Sequence, residues 1–128
     1  MEKIKTRFAF EELDVWQKSV EFAIKVIDLI ENIQTDRKHY RLIEQLEAAS
    51  ASIALNIAEG KGRYSKKEFV QFLYIARGSL NETITLLIIF NKNKWIADQK
   101  LDEMKSFADV IGKMLSNLIK SIKTSHSI

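Results

Sequence analysis

No proline occurs anywhere in this 128-residue chain, and only four glycines interrupt it. Proline breaks a helix by removing a donor and clashing with the preceding turn, and glycine weakens it, so their scarcity permits long unbroken helices. Apolar spacing fills that permission in four segments. The first covers about residues 11–32, where Leu13, Trp16, Val20, Ala23, Ile27 and Ile30 recur three and four apart on one helical stripe. A second stripe of Val15, Phe22, Val26 and Ile33 widens that face beyond what a single neighbour would cover. The polar stretch at 34–39 breaks the pattern, with Thr35 or Asp36 placed to cap the next helix. That second helix is expected over about 39–59 through Leu42, Leu46, Ala49, Ile53 and Ile57, and its small central run AASAS predicts close packing against another helix. A third is expected over about 65–91 through Phe69, Phe72, Leu73, Ala76, Leu80, Ile84, Leu87 and Ile88. Gly78 inside it costs about 1 kcal/mol relative to alanine, which predicts a tight helix crossing there. NKNKW reads as a turn, Asp98 as the cap of a fourth helix over about 98–122, and Leu101, Met104, Phe107, Ile111, Leu115, Leu118 and Ile122 as its seam. Helices of about 20 residues are roughly 30 Å long. Four of them with short connections predict an all-α fold: a single domain, residues 1–128, forming an antiparallel up-down-up-down four-helix bundle.

The same composition narrows function by exclusion. There is no cysteine, so disulfides and thiolate metal sites are ruled out. The N-terminus is charged throughout and has no signal-like apolar run, and the longest apolar run, Ile84 to Phe90, is far short of the ~18 residues of a membrane span. A soluble cytoplasmic protein without membrane partners is expected. Of the two histidines, His39 falls in a predicted turn and His126 in the tail, and neither has a ligand partner at helical spacing. A di-metal bundle needs Glu-x-x-His pairs, which are missing, so neither metal nor cofactor is expected. GKG lacks the length and ending of a phosphate-binding P-loop, and no histidine is placed to activate the serines of AASAS. A non-enzymatic protein is expected.

The stretch NIAEGKGRYSKKEF, residues 56–69, holds two of the glycines and four cations. Ser65 followed three residues later by Glu68 is a capping box that starts the third helix. Glu59 lies in the last turn of the second helix, at the negative end of its dipole, where Lys61 and Arg63 are close enough to compensate. Gly60 is placed beyond the helix end, where left-handed backbone is cheap only for glycine. One reading makes Asn56, Glu59, Gly60, Gly62 and Arg63 a hydrogen-bonded corner between helices. The other makes Lys61, Arg63, Lys66 and Lys67 an anion-binding surface beside the N-terminus of the third helix. The two are compatible. Net charge is only +3, but this cluster contains no acid, and after Asp109 the tail carries Lys113, Lys120 and Lys123 unopposed.

Residues 45–83, QLEAASASIALNIAEGKGRYSKKEFVQFLYIARGSLNET, resemble the four-helix bundle family that includes the bacterial large-subunit ribosomal RNA intervening-sequence proteins. The family pattern is met by Asn56 to Gly60, Gly62 and Arg63, then Phe69, Phe72, Leu73, Ala76, Gly78, Ser79, Leu80 and Glu82, and the likeness extends over about residues 8–96. The resemblance implies a homopentamer, often barrel-like with a central channel. In a related branch, the accessory proteins of diversity-generating retroelements, it implies a basic pentamer that binds a reverse transcriptase and nucleic acid. Two departures stand out. Where the family commonly has two arginines after Gln45-Leu46, this chain has Glu47 and Ala48, and Ala54 replaces a common proline.

The leading expectation is a non-enzymatic homo-oligomeric module that binds RNA, DNA or a protein that handles them, with Lys61, Arg63, Lys66, Lys67 and Arg77 as phosphate contacts. A pentamer of +3 chains would carry about +15, enough for weak nonspecific attraction. The alternative, favoured by Glu47, Ala48 and the modest net charge, is a structural or protein-partner adaptor.

Overall fold

A computed structural model describes residues 5–33 and 39–125. Four helices account for most of them: α1 (Asp14–Glu31), α2 (Tyr40–Lys61), α3 (Lys66–Lys92) and α4 (Asp98–Thr124). A short 3-10 helix, Ala9–Glu12, precedes α1, so the expected start at residue 11 moves to Asp14. The expected caps Thr35 and Asp36 lie outside the described residues. Asp98 is not a cap. Ala97 holds that position without a side-chain bond, while the Asp98 carboxylate accepts the Asn91 Nδ2 donor at 2.8 Å and so ties the turn to the end of α3.

The pairing of side chains fixes how the helices run. Between α2 and α3, Gln45 meets Glu82, Ser52 meets Ser79, and Gly60 abuts Phe72, so numbers rise on one helix as they fall on the other. Between α3 and α4, Lys66 reaches Ser125, Tyr74 reaches Lys123, and Leu80 reaches Gly112. On α1 and α4, Phe22 stacks on Phe107, and Leu29 shares a cleft with Ile96 and Met104. Each neighbouring pair is antiparallel. Contacts join α1 to α2, α2 to α3, α3 to α4 and α4 to α1, leaving α1–α3 and α2–α4 as the diagonals of an up-down-up-down bundle.

Phe22, Leu46, Ile53, Ile57, Leu73, Leu87, Phe90, Met104, Ile111 and Leu115 are fully buried at the centre. On α1 the two stripes exchange roles: Val15, Ser19, Phe22, Val26 and Leu29 are buried, whereas Trp16 and Ile30 pack at the margin and Ile27 is exposed. Ser19 makes the buried stripe look polar in sequence, yet its hydroxyl is satisfied internally by the Val15 carbonyl at 2.7 Å. Helix α3 is, by length and composition, apolar enough to cross a membrane, contrary to the reading of its longest apolar run alone. Here Val70, Leu73, Ala76, Leu80, Leu86, Leu87 and Phe90 place part of that apolarity in the bundle core.

The two conspicuous glycines also exchange roles. A Cβ on Gly78 would meet nothing within 4 Å, so no crossing among the described residues requires that glycine. The tight crossing is at Gly60, which lies inside α2 rather than beyond it. A Cβ there would fall 2.7 Å from the Phe72 Cβ and 3.0 Å from Phe69 Cδ1. No described glycine uses positive φ; the left-handed residue is Lys94, at φ 65°, in the α3–α4 turn. That turn is pinned by Trp95, whose ring meets Phe90 edge-on at 5.0 Å and stacks on His39 at 4.3 Å, joining it to the start of α2.

Candidate nucleic-acid interface

Helix α2 ends at Lys61 and α3 begins at Lys66, with Gly62 between them at an ordinary φ of −81°. Arg63 spans the corner. Its Nη2 donates to Glu59 Oε2 at 2.8 Å, its Nη1 sits 3.9 Å from Glu68 Oε2, and its guanidinium lies over the Phe72 ring at 4.8 Å. Ser65 accepts the Glu68 backbone N–H at 3.1 Å and donates its hydroxyl to the Glu68 carboxylate at 3.2 Å, so the cap forms with an additional side-chain bond. Lys61 lies over the Phe69 ring at 5.9 Å. Asn56 does not belong to the corner. It sits more than a turn earlier, donating to the Ser52 carbonyl and hydroxyl, both at 2.8 Å, while Ser79 of α3 donates to that same hydroxyl at 2.9 Å. These three residues form a small polar clasp across the α2–α3 crossing.

The remaining candidates gather on a different surface, the outer seam between α3 and α4. At one end a groove of about 420 Å³ is lined by Lys66, Lys67, Lys123 and Ser125, with Lys66 Nζ donating to Ser125 Oγ at 3.1 Å. Further along, a wider groove of about 800 Å³ is lined by Arg77, Lys105 and Lys113, with Asp109 its single acid. Tyr74 joins the two: Lys123 Nζ donates to its hydroxyl at 2.9 Å and the Arg77 guanidinium lies 4.9 Å from its ring centroid. The hydrogen bond from Lys123, helped by the charges of Lys123 and Arg77, holds the Tyr74 phenol below its ordinary pKa. Lys113 is not unopposed, since it pairs with Asp109 at 3.0 Å, but both partners are largely exposed and the pair contributes little.

The expected cation set therefore divides. Lys66, Lys67 and Arg77 share the α3–α4 seam, whereas Lys61 and Arg63 are engaged with rings and carboxylates at the corner. Sequence reasoning overlooks Lys105 and Tyr74, and reads Lys113 and Lys123 only as tail charge. The available signal is the spacing of Lys105, Lys113 and Lys123 along one side of α4; the antiparallel register that sets it opposite Arg77 is absent from the sequence. Among the described residues no three His, Cys, Asp or Glu side chains come together as a metal site.

Among the chains of known structure that match is a protein of unknown function from the S23 ribosomal protein family of Bacteroides thetaiotaomicron VPI-5482. It is 27% identical, with a TM-score of 0.76, over 83% of this chain and 98% of that one. Comparison with curated proteins gives no match. The pattern of the 23S rRNA-intervening sequence proteins matches residues 11–117, nearly the whole bundle from the end of the 3-10 helix to the later turns of α4. The chain belongs to the 23S rRNA-intervening sequence protein family.

Proposed function

We propose that this protein is a non-enzymatic, homo-oligomeric module that binds nucleic acid along the α3–α4 seam. The observation that carries this reading is the concentration of charge: Lys66, Lys67, Arg77, Lys105, Lys113 and Lys123 line the two grooves against Asp109 alone, in a chain whose overall charge is only +3. Phosphate is the natural counterpart of such a row, because each neutralised phosphate releases condensed counterions. The start of α3 adds backbone N–H groups and the positive end of its dipole at Lys66 and Lys67. Homo-oligomerisation is supported by Leu55 and Ile75, 67% and 51% exposed on the paired helices α2 and α3. Light scattering that returns a monomer mass at micromolar concentration overturns that part.

The test of binding is a fluorescence-anisotropy titration of labelled oligonucleotides at several salt concentrations. Substituting both Lys66 and Lys67 with alanine is expected to weaken binding to all sequences alike and to reduce the slope of log K against log salt by about 2. Absence of binding to any nucleic acid at low salt leaves the second reading, an adaptor for a protein partner. Glu47 and Ala48, both exposed on α2, favour that reading.

A further inference from the structure

Two tyrosines stand among these cations, and neither is explained by the core. Tyr64 occupies the corner between Arg63 and the cap Ser65, within three residues of Lys61, Lys66 and Lys67. Its relative exposure is 107%, so its ring packs against nothing among the described residues. Tyr74 lies two helical turns beyond Lys67 on α3, about 10 Å along the axis, and is 39% exposed. Unlike Tyr64 it is held in place, by the Lys123 hydrogen bond at its hydroxyl and the Arg77 guanidinium over its ring.

Resting on the reading of the seam as a phosphate-binding surface, we propose that Tyr64 and Tyr74 are stacking platforms for unpaired bases, and that the ligand is single-stranded nucleic acid. A duplex keeps its bases stacked on one another and offers such a surface only phosphates. A single strand can place its backbone along Lys66, Lys67, Lys123 and Arg77 while turning bases onto the rings. Every base has a π-face, so this recognition tolerates sequence, and the Arg77 plane extends the Tyr74 platform. The exposed position of Tyr64 suits a ring that is covered only when ligand arrives.

The test compares labelled oligo(U), oligo(dT) and a duplex of equal length on the full-length protein, with Tyr64→Ala, Tyr64→Phe, Tyr74→Ala and Tyr74→Phe beside the wild type. Both single strands are expected to bind more tightly than the duplex. Each alanine variant is expected to lose about 5- to 100-fold affinity for the single strands and little for the duplex, with phenylalanine retaining most of it. A preference for oligo(U) over oligo(dT) assigns the strand as RNA. Tyr64→Ala keeps the experiment clear of folding effects, because that ring supports no packing. Equal affinity for duplex and single strand, with both alanine variants at wild-type affinity, overturns the stacking role and leaves a charge-only surface. Loss of all binding at low salt overturns the seam reading as well.

Discussion

Replacing Gly60 with alanine is expected to destabilise the bundle although alanine is the better helix former. The position has helical backbone within α2, so propensity alone predicts a gain of about 1 kcal/mol. The added Cβ would lie 2.7 Å from the Phe72 Cβ, 3.0 Å from Phe69 Cδ1 and 3.3 Å from the Phe69 carbonyl oxygen. Comfortable carbon–carbon contact is about 3.5–4.0 Å, so α2 and α3 must separate by roughly 1 Å at this point. No rotamer change relieves it, because a Cβ is fixed to its backbone, and overpacking of this kind costs about 1–3 kcal/mol. Taking the upper end of that cost less the propensity gain leaves a loss of about 2 kcal/mol, or a Tm lower by about 6–12 °C for a domain of this size. Gly78→Ala is the matched control: its Cβ meets open space, so it is expected to raise Tm by about 3–6 °C. Thermal melts followed by far-UV circular dichroism compare the two. A Gly60→Ala protein as stable as the wild type would falsify the close crossing.

Two further outcomes rest on local geometry. Ser65→Ala removes the cap on the Glu68 N–H and is expected to cost about 1 kcal/mol in urea unfolding, with Ser65→Asp restoring most of it; an unchanged midpoint for the alanine variant contradicts the cap. Tyr74 is expected to ionise below the ordinary tyrosine range, and Lys123→Met to return it toward that range, both read from phenolate absorbance. Since its folded pKa is depressed, any stability it contributes is present above the unfolded value of about 10 and lost as pH falls through the folded pKa, so none of it acts at neutral pH. Absorbance of the Lys123→Met protein indistinguishable from wild type across the tyrosine range would contradict the Lys123–Tyr74 hydrogen bond.

The helices were legible because their cause is local. A three-and-four apolar spacing without proline leaves little else to form, and the boundaries of α2, α3 and α4 fall within about two residues of those expected. What escaped was everything that depends on how one helix is rotated against another. Gly60 and Gly78 both lie in helical sequence, and only the phase of α2 against α3 decides which faces a neighbour. The α1 stripes differ by a rotation that Phe22, stacked on Phe107, settles in favour of the one containing a serine. Asn56 looked like part of a corner because Glu59 and Gly60 come soon after it, but its partner Ser52 lies four residues back. The basic seam had the same blind spot. Its α3 half was visible as Lys66, Lys67 and Arg77, while its α4 half needed the antiparallel register that sets Lys123 on Tyr74.

That register also bears on the charge this chain lacks. The two arginines expected from the resemblance after Gln45-Leu46 would belong to α2, where Glu47 and Ala48 now face solvent. Helix α2 is diagonal to α4, with no Cα–Cα approach within 8 Å, so the substitutions remove positive charge from a surface remote from the α4 half of the seam. Exposed charges separated by more than about 8–10 Å are largely screened at physiological salt. The α4 cations of the seam, Lys105, Lys113 and Lys123, are therefore little weakened by Glu47, and net charge per chain understates the potential along that helix. Two charge swaps separate the surfaces experimentally. Restoring arginine at 47 and 48 is expected to add phosphate contacts, steepening the salt dependence of binding while leaving the effect of Lys66 and Lys67 substitution intact. If restoring those arginines instead made Lys66 and Lys67 dispensable, α2 would be the nucleic-acid face and the α3–α4 seam only a solvated one.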